Sequence, residues 1–159
     1  VLFIGFIIQG MGEEVLCRGY LMNSIGAKHS IMKAIIISSA MFALLHIFNP
    51  GLTVLAVINL VLFGIFAALY MICFDNIWGI CAIHTIWNFA QGIIYGISIS
   101  GAYNIDNSIF LFKNIEGKTL INGGAFGAEG GIAVTIVLSL GILIIFGIMC
   151  HKKKIGDEK

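Results

Sequence analysis

Three stretches without a single charged side chain constrain this chain more than anything else in it. Leu52–Phe74 and Ile77–Ile99 each run 23 residues without Asp, Glu, Lys or Arg, and Ile132–Cys150 adds 19 more. About 20 apolar residues cross the hydrocarbon core of a bilayer as a helix, and inside lipid the backbone must satisfy its own hydrogen bonds, which a helix does. Ile31–Phe48, with Lys33 placed to snorkel, and Val1–Asn23, apolar first and charged later, read as two further helices. The expected fold is therefore all-α: a polytopic transmembrane bundle of about five helices. Composition agrees, with 11% charged residues against about 25% in a soluble domain.

The breaks fall where helices end. Ser24–Ser30 contains Gly26, Asn49-Pro50-Gly51 is a strong stop, Asp75-Asn76 is a short turn, and Ser100–Gly131 is a polar, glycine-rich loop. One membrane-embedded domain over residues 1–159 is expected. Its motif-bearing core is about 8–100, followed by the glycine-rich loop 100–131, the last span 132–150 and a basic tail 151–159. The start at Val1, inside an apolar run, reads as a fragment whose upstream helices are missing. Lys152-Lys153-Lys154 after the last span places the C-terminus in the cytoplasm by the positive-inside rule. Alternating back from there, the long loop lies outside, and its Lys113 and Lys118 are balanced by Asp106, Glu116 and Glu129. Net charge of +1 offers no electrostatic basis for binding nucleic acid. The four cysteines show no CxxC spacing and read as buried thiols.

Against this background the ionisable residues at membrane depth stand out, because each is costly there and marks a functional site by default. They are Glu13, Glu14 and Arg18 in the first helix, His46 in the second and His84 in the fourth, with Asn88 as a further strong polar group. At about 1.5 Å of rise per residue, Glu13, His46, His84 and Asn88 all come out towards the middle of the bilayer. Glu14 and Arg18 are spaced i,i+4 with the acid first, the favoured order for an ion pair, and read as structural or orienting. Glu13 points about 100° from Glu14 at the α-helical angle, onto a face with Gln9, Cys17 and Tyr20. His84 and Asn88 stack on one face, where the bland alternative is an interhelical polar clamp. Gly5, Gly12 and Gly19, seven apart, read as a stripe for close helix packing.

Several chemistries fail for want of residues. Gly96-Ile-Ser-Ile-Ser100 is not a nucleophile elbow, Asp75 and Asp106 lie outside the spans, and no H-E-x-x-H string or phosphate-loop ending exists. Glutamate, two histidines and an asparagine remain, and they suffice for hydrolysis. A carboxylate and an imidazole can deprotonate water while an imidazole and an amide stabilise an oxyanion. Equally, Glu13, His46 and His84 could hold a divalent metal such as zinc. The residues leave both routes open.

Glu13-Glu14-x-x-x-Arg18, Phe42-x-x-x-His46 and His84-x-x-x-Asn88, in that order on successive helices, resemble the three motifs of the CPBP family, the CAAX protease and bacteriocin-processing family. The resemblance spans residues 8–100 and implies a multi-pass intramembrane endopeptidase acting on a membrane-associated peptide or protein. It implies that Glu13 and His46 activate water and that His84 and Asn88 form the oxyanion hole, with Glu14, Arg18 and Phe42 in support. Family members are labelled metalloproteases or assigned a metal-independent glutamate mechanism. The rival readings are a non-catalytic immunity or scaffold protein on the same fold and a proton relay or transporter. The absence of inverted repeats counts against the last.

Overall fold

The computed structural model describes residues 2–101, 108–112 and 117–157. The loop charges Asp106, Lys113 and Glu116 used in the topology argument lie outside them. Among the described residues the chain is helical. Helix α1, Leu2–Glu14, runs on through a π-helical stretch, Val15–Met22, into Asn23–Gly26. Helices α2 (Ile31–Leu44), α3 (Val54–Phe74) and α4 (Ile77–Phe89, then π-helical to Ile94) follow, and α5 spans Ile132–Asp157. Short turns Thr119–Asn122, Gly124–Phe126 and Ala128–Gly130 lead into α5.

Caps set the starts of α2, α3 and α4. Ser30 accepts from Lys33 N, Thr53 from Ala56 N at 3.1 Å, and Asn76 from Trp78 N at 2.8 Å, each satisfying an orphan N–H of the first turn. Two helices end sooner than their apolar runs. After Leu44 the hydrogen bonds tighten to i−3, as in His46 N to Ala43 O and Asn49 N to His46 O, so Ile47 and Phe48 belong to a turn. Likewise Gly96, at φ +64°, reverses the chain, and Ile99 is buried in a returning loop rather than in α4. Apolar runs alone do not separate helix from buried loop.

Among the described residues three helices are long and apolar enough to cross a membrane: Val54–Phe74, Ile77–Ile94 and Ile132–Lys154, while Ile31–Leu44 is shorter. Helix α3 lies between α2 and α5, and α1 lies against α4. The polarity is inverted relative to a soluble domain. Ser38, Ser39, Asn59, Thr85 and Gln91 are buried, whereas Ile136, Leu140, Leu143, Ile144 and Phe146 of α5 face outward, as lipid as solvent requires. Lys152 Nζ donates to Cys73 O at 2.8 Å and sits 5.0 Å over the Phe74 ring. The basic tail thus caps the C-terminus of α3.

Two packing expectations need correction. Gly5 and Gly12 have no neighbour that a Cβ would meet within 4 Å, and Gly19 meets only Ile77 and its own helix. The close approaches are instead at Gly10, where a Cβ would stand 3.2 Å from Thr85 N, and at Gly64, 2.7 Å from Ser39 Cα. A heptad of glycines needs a facing helix to matter, and α4 faces Gly10. Cys17, Cys73 and Cys81 are buried as expected, but Cys150 is exposed on the outer face of α5.

Candidate active site

The polar end of α1 is where the helix widens. From Val15 to Met22 the backbone is π-helical, so each residue advances less than the 100° of an α-helix. Extrapolating the α-helical angle fails here. Tyr20, expected beside Glu13, is 68% exposed, while Cys17, Glu14 and Arg18 are fully buried. The Glu14–Arg18 pair forms nonetheless, with Arg18 Nη1 3.3 Å from Glu14 Oε1 and 3.2 Å from Oε2. Its guanidinium lies 4.6 Å over the Phe42 ring and 6.0 Å from that of Phe63, which suits a desolvated arginine.

Glu14 has a second partner that helix geometry alone does not reveal. Its Oε1 stands 2.9 Å from His84 Nδ1. A carboxylate only accepts, so Nδ1 carries the hydrogen and Nε2 is turned to the far side of the ring. That Nε2 is 3.8 Å from Glu13 Oε2. His46 is set the same way by the backbone. Its Nδ1 lies 2.9 Å from Phe42 O, which also only accepts, and its Nε2 lies 3.9 Å from the same Glu13 oxygen. Two imidazoles thus converge on one carboxylate oxygen, His46 from the turn that follows α2 and His84 from α4.

The other oxygen of Glu13 is fixed. Gln9 Nε2 donates to Glu13 Oε1 at 2.8 Å, and Asn88 Nδ2 donates to Gln9 Oε1 at 3.1 Å. This chain defines both amide orientations, because Glu13 needs a donor and Gln9 must then accept through oxygen. Asn88 keeps a second N–H on Nδ2, while Glu13 Oε2 and Asn88 Oδ1 are buried without partners. Phe42 serves twice, holding His46 through its carbonyl and packing its ring between Arg18 and His84, whose ring centroid is 5.9 Å away.

His46, His84 and Asn88 open onto a cavity of about 200 Å³, otherwise largely apolar, with Phe63, Phe66 and Trp87 in its wall. Glu129 and Ser100 complete it. Glu129 Oε2 accepts from Ser100 N at 2.6 Å and Ser100 Oγ at 2.8 Å. Burial pushes the Glu129 carboxyl above its ordinary pKa, against the opposing pull of Ser100, His46 and His84. Asn59 anchors the turn that carries it, donating to Glu129 O at 2.7 Å and Gly131 O at 3.0 Å while accepting from Thr135 Oγ1 at 2.6 Å. The sequence reading missed Glu129, Ser100 and Asn59, and noted Gln9 only as a neighbour of Glu13. Asn59 carried a usable signal, being a strongly polar group in the middle of an uncharged span.

The donor set does not fit a metal as placed. Ligands at 2.0–2.2 Å around a tetrahedral zinc stand about 3.4 Å apart, closer than the 3.8 and 3.9 Å here. Among the described residues no group of three His, Cys, Asp or Glu side chains is arranged to hold an ion.

Fold and site together define a polytopic helical membrane protein with a buried carboxylate–imidazole centre. Residues 1–90 match the model of the type II CAAX prenyl endopeptidase Rce1-like family. That is more than half of the chain, and the chain belongs to this family of proteases. Glu13, His46, His84 and Asn88 all lie within the matched stretch. No curated protein and no solved structure matches.

Proposed function

We propose that the chain is an intramembrane endopeptidase that hydrolyses a peptide bond of a membrane-associated protein or peptide, in CAAX-type or bacteriocin-type processing. The observation that carries this reading is the approach of two imidazole Nε2 atoms to one oxygen of Glu13, at 3.8 and 3.9 Å. Neither distance is a direct hydrogen bond, and both suit a water held between the groups. In this reading Glu13, with His46 Nε2 as an accepting partner, takes a proton from water as its oxygen attacks the carbonyl carbon. The tetrahedral oxyanion is met by the second N–H of Asn88 and by His84 Nε2. His84 must then carry a hydrogen on both nitrogens, and Glu14 supplies the opposing charge at Nδ1. The carbon–nitrogen bond breaks as the proton held by Glu13 and His46 passes to the leaving amine.

Lys152–Lys154 place the C-terminal tail on the cytoplasmic side in this proposal. The Lys152–Cys73 contact puts it at the same end of the bundle as the Asp75-Asn76 turn, as alternating spans require. The decisive experiment compares processing of a candidate peptide by the wild type, Glu13→Gln and His46→Ala. Loss of processing in both variants, with unchanged folding, is the expected result. Wild-type rates in both would remove the enzyme reading and leave an immunity or scaffold role.

A further inference from the structure

Among the described residues Glu129 has no lysine or arginine partner. It lines the cavity that His46, His84 and Asn88 open onto, and none of the described residues around that cavity is lysine or arginine. Arg18, the buried cation of the π-helical stretch after α1, is already committed to Glu14. The two imidazoles are committed as well, His46 through Phe42 O and His84 through Glu14, with both Nε2 atoms turned to Glu13. An unpaired buried charge costs several kcal/mol, so without a cation the site favours the protonated carboxyl, and an arriving cation restores the carboxylate.

The placement of this carboxylate is nevertheless heavily built. Ser100 aims both its backbone N–H and its hydroxyl at Oε2, leaving the accepting capacity of Oε1. To do so Ser100 adopts φ +46°, one of two non-glycine residues in the left-handed region among the described residues, a conformation that surrounding structure must hold. Asn49 Nδ2 donates to Ser100 O at 2.8 Å and Asn59 holds the Glu129 carbonyl. Three separate segments therefore converge to present one acceptor to an apolar, aromatic-walled space. Such a space favours an ammonium or guanidinium group on an apolar stem.

We propose that Glu129 is a specificity-determining residue that binds a cationic group of the substrate, a lysine or arginine side chain or an amino terminus beside the scissile bond. This rests on the reading of the cavity as the substrate cavity. Ser100 and Asn59 are positioning residues for it.

Binding tests this without requiring cleavage, so a failure of hydrolysis and a failure of recognition are separable. The full chain carries Trp78→Phe, which removes the exposed indole, and Glu13→Gln, which stops turnover. Trp87 in the cavity wall is then the lone tryptophan reporter. The probes are a capped leucine–alanine hexapeptide with one central lysine and its glutamine and glutamate analogues, added to protein in lipid nanodiscs. The lysine peptide is expected to bind at least about 10-fold tighter than the glutamine peptide, as a charge-assisted hydrogen bond provides, with the glutamate peptide weakest. Adding Glu129→Gln, which keeps an acceptor for Ser100, should erase the lysine preference and leave the glutamine peptide within about 2-fold. Equal affinities for the three peptides, no binding of any, or a lysine preference that survives Glu129→Gln overturns the proposal. A uniform loss for all three peptides in Glu129→Gln also overturns it, assigning the residue to structure. The three-peptide comparison with Glu129 intact decides the matter even where that variant does not fold.

Discussion

Replacing Glu14 by glutamine keeps the length of the side chain and removes its charge, and the structure assigns two separable losses to that change. Arg18 is fully buried, its Nε and Nη2 have no partner, and Glu14 is its counter-charge. Removing one partner of a buried ion pair costs about 3–5 kcal/mol, because the other charge is left uncompensated. The second loss is at His84, whose Nδ1 faces Glu14 Oε1 at 2.9 Å. Glutamine can still accept from Nδ1 through its amide oxygen, so what the ring loses is the opposing charge. In the proposed mechanism that disables His84 as an oxyanion donor, a loss on the order of 10²–10³ in rate.

The double variant Glu14→Gln, Arg18→Met tells these apart. Methionine fills the space over Phe42 without a charge, and removing both members of a buried pair is often close to neutral. Stability should therefore return to within about 1–2 kcal/mol of wild type, while peptidase activity stays low. Stability is read by thiol-reactive dye on heating, since Cys17, Cys73 and Cys81 are buried; Cys150→Ser removes the exposed thiol. Recovery of both stability and rate in the double variant would reduce Glu14 to a counter-ion for Arg18. A single variant as stable as wild type would refute the buried-pair argument itself.

Gly10→Leu should destabilise by about 1–3 kcal/mol through overpacking, because a Cβ there already stands 3.2 Å from Thr85 N; Gly12→Ala, with nothing within 4 Å, should be neutral or stabilising in the same melt. Asn59→Leu leaves the Glu129 and Gly131 carbonyls and the Thr135 hydroxyl without their partner, and should lower the unfolding midpoint by about 1–3 kcal/mol equivalent. Burial raises the Glu129 pKa against Ser100, His46 and His84. The folded chain therefore retains a proton that the unfolded chain releases, and stability falls as pH rises through the raised value. Glu129→Gln should flatten that part of the midpoint–pH profile, and an unchanged slope would contradict the burial.

What was legible in the sequence followed from solvent, and what was not followed from long-range contact. Leu52–Phe74 and Ile132–Cys150 announce spans because lipid tolerates no charge along them, and the structure has α3 and α5 there. The same cost singles out Glu13, His46, His84 and Asn88, which the structure brings into one linked cluster. Local periodicity could not carry further. The π-helical stretch after Glu14 alters which residues share a face, and nothing in Val15–Met22 signals it. The Glu14–His84 contact spans 70 positions, so an i,i+4 pair that looked complete was only half of its network.

Glu129 was hidden differently. In a polar, glycine-rich loop a carboxylate reads as solvated, and counting it towards the loop's charge balance was the natural reading. Its burial depends on Asn59, 70 positions earlier, and on Ser100 at a backbone angle that serine rarely adopts. Yet Asn59 was visible as a polar residue in an uncharged span, by the reasoning that selected Asn88. A polar side chain in a membrane helix must be satisfied by something, and when its own span offers no partner the partner is on a neighbouring helix, as Gln9 is for Asn88, or in a loop that comes back inside. Applied to Asn59 and Gln91, that rule leads to Glu129 and to Ser98, the two segments that close the cavity over the histidines.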